Sequence, residues 1–118
     1  MNYKEISEKY PKAYNLLVKN RESVYGIEYQ GDGWYHTRDL YDFFDENEIW
    51  ISIELEVQYT REEDEDGNNP HYVPEGFYYT IHNNSYHLGT GGEFPTRTEA
   101  EEAAFTKAFS LLEDKLTK

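Results

Sequence analysis

The sequence predicts an α+β domain: an antiparallel sheet of three to four strands packed on a C-terminal helix, with N-terminal helices at its side. Three observations predict it. Ile49, Ile51, Ile53, Leu55, Val57 and Tyr59 alternate with Trp50, Ser52, Glu54, Glu56, Gln58 and Thr60, the period-two pattern of a strand with one face buried. Between residues 98 and 116, Ala100, Ala104, Phe105, Ala108, Phe109, Leu111, Leu112 and Leu116 form a broad helical stripe of the kind that covers a sheet. The length, 118 residues, is that of one hydrophobic core, so the expectation is a single domain spanning 1–118.

The elements follow in order. Ile6, Tyr10, Ala13, Leu17 and Val18 predict a helix over 3–20 that starts or kinks at Pro11, since an interior proline lacks the amide donor and clashes with the preceding turn. Ser23 to Gln30 reads as a short strand and Gly31-Asp32-Gly33 as a turn. Thr37 can cap a helix over 37–46 that places Leu40, Phe43 and Phe44 on one face. A β-meander over about 49–89 comes next. Its first strand is the alternating segment, Arg61 to Gly76 is a polar loop, and Phe77, Tyr79 and Ile81 mark a second strand. A two-residue turn at Asn83-Asn84 would pair His82 with Ser85 and set His82 and His87 diagonally, roughly 7–8 Å apart. Gly89 to Gly92 is expected to break the sheet. Thr98 and Glu101 form the capping box that opens the helix over 98–116.

Composition excludes whole classes of function. There are 24 acidic residues against 11 Lys and Arg, a net charge of −13, which repels nucleic acid and anionic membrane surfaces. Twelve Tyr, six Phe and two Trp set the chain apart from disordered acidic sequences, which are poor in rings. With no cysteine there is no disulfide, thiol nucleophile or cysteine zinc site. No apolar run approaches the roughly 20 residues of a membrane span, and the first twelve residues lack the apolar core of a secretion signal. The expectation is a cytoplasmic protein without a cofactor. The charge is also uneven: residues 1–30 are close to neutral, whereas Asp39 to Asp66 holds twelve acids and one cation, Arg61.

Few patterns carry chemistry. Glu62-x-Asp64-x-Asp66-Gly67 imitates the start of a calcium loop, but Val73 stands where a bidentate Glu is required and the flanks are strand-like, so a solvated charge run is the simpler reading. His82 and His87, with Glu54 and Glu56 on the same predicted face, are the candidates for a metal-dependent or acid/base hydrolase. Gly89-Thr90-Gly91-Gly92 lacks the spacing of a phosphate loop. No catalytic or metal residue is assigned. Two features exceed what folding requires. Trp50 and Tyr78 fall on the polar sheet face with Glu54 and Glu56, where rings with a polar handle suit a protein interface. Asp39, Asp42, Asp45 and Glu46 extend a carboxylate field that could imitate the phosphates of a duplex. These eight residues are the candidate interaction surface.

Arg38-Asp39-Leu40-Tyr41-Asp42-Phe43-Phe44-Asp45-Glu46, and Phe94-Pro95-Thr96-Arg97-Thr98-Glu99-Ala100 continuing through Phe105 to Leu116, are similar to stretches in a group of small proteins. In these, and in Tyr10-Pro11-Lys12-Ala13-Tyr14, the chain resembles uncharacterised proteins encoded by phages, prophages and mobile elements of gut bacteria. The resemblance covers about a third of the chain and carries no catalytic motif. It implies an accessory protein of a mobile genome, of unknown activity. Arg38 and Arg97 are expected to pair one turn on, with Asp42 and Glu101. The leading expectation is a non-enzymatic protein that binds another protein, the hydrolase being the alternative.

Overall fold

The computed structural model describes residues 1–25, 35–62, 69–83 and 86–118, with side chains at 1–23, 35–57, 74–83 and 86–118. Its elements are α1 (Tyr3–Lys9), α2 (Pro11–Tyr25), α3 (Thr37–Glu46), β1 (Trp50–Glu62), β2 (Asn69–His82), β3 (His87–Phe94) and α4 (Arg97–Thr117). The three strands form an antiparallel sheet in the order β1-β2-β3, and α4 packs on one face of it. The fold is α+β, as the hydrophobic periods predict.

Pro11 does break the N-terminal helix. Tyr10 leaves helical geometry (φ −130°, ψ 62°), and Pro11 becomes the first residue of α2, where a missing amide donor costs nothing. The first turn of α2 contains no acid. Its free amides are met from α4 instead: Lys12 and Ala13 donate to Glu113 Oε1 at 2.8 and 3.0 Å, which ties the two helices together and offsets the α2 dipole. Because α2 continues to Tyr25, the strand expected from Ser23 is helical at 23–25; its remainder and the 31–33 turn lie outside the described residues.

One core joins the layers. Ala13 and Leu17 of α2, Leu40, Phe43 and Phe44 of α3, Tyr79 and Ile81 of β2, and Ala104, Phe105, Ala108, Phe109 and Leu112 of α4 are buried together. The alanines let α4 approach closely while the rings fill the remaining space, with Phe44 edge-on to Phe109 at 5.0 Å between centroids. Inside this core lies an ion pair. Arg21 and Asp39 are each 2% exposed, with Nη1 and Oδ1 3.4 Å apart.

Both middle caps differ from the expected ones. His36, not Thr37, precedes the first turn of α3, and its amide donates to Asp39 Oδ2 at 3.0 Å. Thr96, not Thr98, caps α4, its hydroxyl accepting from the Glu99 amide at 3.2 Å. At its other end α3 closes through a left-handed Glu48 (φ 62°): Ile49 N–H reaches Phe44 O at 2.9 Å and Glu48 N–H reaches Asp45 O at 3.1 Å, a Schellman ending without its usual glycine.

The sheet is longer than expected. Residues 69–76 are strand, paired from Glu62↔Asn69 through Glu56↔Gly76. Pro70 and Pro74 are tolerated because the pairing of β2 with β3 ends at Phe77↔Phe94, which leaves this part of β2 with β1 as its one described neighbour. After β2, Asn83 N–H donates to Tyr86 O at 2.9 Å. His82 therefore faces His87, and the diagonal register expected for them is corrected. Gly89 to Gly92 continue the strand instead of breaking it. Gly91 lies under the Tyr79 ring, where a Cβ would stand 2.5 Å from a ring carbon. Among the described residues no helix is long and apolar enough to cross a membrane.

Candidate functional site

The two faces of the sheet have different fates. Ile51, Ile53, Tyr79 and Ile81 point toward α4. Trp50, Ser52, Glu54 and Glu56 of β1, with Tyr78, Thr80 and His82 of β2, point the other way. No described helix lies on that outer face. Trp50 is 41% exposed there, opposite His82, which is in turn opposite His87 of β3. The imidazole centroids of the two histidines are 5.0 Å apart, tilted by 59°. Four residues along, Tyr78 Oη donates to Glu54, and this bond together with the nearby Glu56 charge raises the Tyr78 phenol above its ordinary range. The result is an aromatic row, Trp50-His82-His87, beside an acidic step, Glu54 and Glu56 with Tyr78.

The helical carboxylates belong elsewhere. α3 packs on α4 through Phe43 and Phe44, which puts its polar side on the helical layer, across the sheet from Glu54 and Glu56. Asp39 is not a surface residue, which corrects the expectation from sequence. It is buried because Arg21 of α2 reaches it and because it holds the first turn of α3. Glu46 is half exposed but accepts from Asn20 and stands 3.7 Å from Arg21 Nη2. Asp42 and Asp45 are exposed on α3 and make no ion pair with Arg21. Partial burial, and then the Asp42 charge, raise the Asp45 carboxyl above its usual range. The eight residues taken from the sequence thus separate into Trp50, Glu54, Glu56 and Tyr78 on the open sheet face, Asp42 and Asp45 on the helical layer, and Asp39 and Glu46 around Arg21.

Arg38 does lie near Asp42, at 4.0 Å. Arg97 instead sits over the Phe77 ring at 5.2 Å, and Glu101 accepts from Tyr41 Oη at 3.0 Å. The described residues contain no group of three or more His, Asp or Glu side chains able to hold a metal ion. Two recesses, of about 660 and 340 Å³, lie along α4 and involve neither His82 nor His87. Sequence reasoning missed Leu55 and Val57, assigned to the buried face. They are 42% and 46% exposed, because β1 runs on past the helical layer. The signal was the length of the alternating run, longer than the apolar stripe that was to cover it.

Fold and surface together define a two-layer α+β protein with helices on one side of its sheet and an open aromatic and acidic face on the other. No family model, curated protein or solved structure matches the chain.

Proposed function

We propose that this chain is a non-enzymatic interaction protein whose open sheet face docks a protein partner with a basic surface. The observation that carries this reading is Trp50, 41% exposed on a sheet face that no described helix covers, beside the Glu54 and Glu56 carboxylates. A tryptophan held on a rigid strand contributes large contact area at little entropic cost, and carboxylates next to it select a cationic counterpart. The phage or mobile-element resemblance supports an accessory role. Mimicry of a duplex draws less support, since the carboxylates divide between two surfaces and two of them serve Arg21. Hydrolysis draws less as well, because Glu54 is engaged by Tyr78 and the two recesses along α4 exclude the histidines.

Affinity capture from the native host, with wild-type chain beside Trp50→Ala at low and high salt, tests the proposal. The expected result is a basic protein retained by the wild type and reduced at least about tenfold by the substitution, as for an interface anchor. Identical retention by both chains would refute it.

A further inference from the structure

One side of β1 has no strand neighbour among the described residues. Every second residue of an edge strand turns its N–H and C=O outward, a row that accepts another strand unless something blocks it. The other edges are blocked. β3 has eight residues, including Gly89, Gly91 and Gly92, and its pairing shifts register twice. The part of β2 beyond β3 carries Pro70 and Pro74 and, between Pro74 and Gly76, the unpaired Glu75 of a bulge. β1 has neither proline nor glycine in its 13 residues. Its middle presents two ledges: Glu54 and Glu56 exposed on the open face, and Leu55 and Val57, 42% and 46% exposed, on the opposite face.

We propose that residues 52–57 of β1 form a strand-addition site for an extended partner segment in which basic and apolar residues alternate. Side chains on an added strand alternate as those of β1 do, so every second residue meets Glu54 and Glu56, and those between cover Leu55 and Val57. Cations on the first set complement the carboxylates; aliphatics on the second remove exposed apolar surface from water. A second copy of the chain is a poor occupant. Each copy carries −13, and antiparallel self-pairing centred on Leu55 sets Glu54 against a second Glu56. The inference rests on the reading of this chain as an interaction protein and specifies the form of the partner.

The test uses the full chain and a fluorescein-labelled peptide of about ten residues alternating Lys and Val, a strand-length probe. A control peptide has the same side chains with alternate amides N-methylated, which keeps the charge and removes the donors. Anisotropy should show the unmodified peptide binding at least about tenfold more tightly than the control, and Val57→Lys or Glu54→Lys/Glu56→Lys weakening it by about tenfold. Hydrogen exchange should slow at alternate amides within 52–57. Equal binding of the two peptides, protection elsewhere, or a dimer formed through β1 in sedimentation would overturn the proposal. The substituted positions are exposed, and far-ultraviolet dichroism reports whether the variants remain folded. Partner capture lost with Trp50→Ala but unchanged by Val57→Lys would overturn strand addition and leave the open-face reading standing; the converse would overturn that reading instead.

Discussion

Replacing Asp39 by Ala leaves the Arg21 guanidinium buried without its nearest anion. The two groups are each 2% exposed and 3.4 Å apart. At an effective dielectric constant of about 20, charges at that distance attract by about 5 kcal/mol, and desolvating both offsets most of it. Removing one partner is the costlier event, at about 3–5 kcal/mol, because the other charge stays buried. Asn20 Oδ1, 2.8 Å from Arg21 Nε, and Glu46, 3.7 Å from Nη2, remain and draw the cost toward the low end. Loss of the His36 N–H bond at the start of α3 adds about 1 kcal/mol. The expected total is about 3–4 kcal/mol, a fall of about 2 M in urea midpoint at a slope usual for small domains. Arg21→Met combined with Asp39→Leu should recover most of this, since a well-packed apolar pair replaces a buried ion pair at little cost. A loss below about 1 kcal/mol for Asp39→Ala, or a double variant as unstable as the single one, would refute this account of the core. The result also bears on function: reduced partner capture by an Asp39 variant would report lost stability, so Asp42 and Asp45 are the proper probes of the α3 surface.

Four further outcomes are expected. Thr96→Ala should cost about 1 kcal/mol in thermal or urea unfolding, and Thr98→Ala close to nothing, because Thr96 holds the Glu99 amide. Glu48→Gly should stabilise by about 0.5–1 kcal/mol by relieving the left-handed backbone after α3, visible as a higher melting temperature. Gly91→Ala should cost about 1–3 kcal/mol and change the near-ultraviolet dichroism, since the new methyl displaces the Tyr79 ring. Burial, and then the bond to Glu101, hold the Tyr41 phenol well above its ordinary value. Its folded pKa exceeds the unfolded one, so its contribution to stability is complete below about pH 10 and is lost as pH rises through the folded value. Melting curves of wild type and Tyr41→Phe should therefore converge in alkali, the difference at neutral pH being about 1 kcal/mol.

The fold class was legible because it follows from periodicity. The alternation at 49–57 and the stripe at 100–112 each require a covering layer, and the same residues, with the exceptions of Leu55 and Val57, do face or enter the core. Boundaries that depend on a partner were not legible. Pro70 and Pro74 read as loop, and the glycines of β3 as a break, until the neighbouring strand and the Tyr79 ring are in place. Of the candidate site, Trp50, Glu54, Glu56 and Tyr78 share a face in sequence and in space, because strand parity is a local property.

Asp39 shows where local reading stops. Its carboxylate looks like its neighbours Asp42 and Asp45 along the chain, and its burial depends on Arg21, eighteen residues away on another helix. Glu113 likewise caps a helix it does not belong to. Side-chain periodicity and turn chemistry determined the elements, their faces and the acidic, ring-rich character of the surface. Which carboxylates hold the molecule together, which strand edge stays open and which apolar residues remain uncovered depended on how the layers met, because burial and charge pairing are properties of neighbours in space.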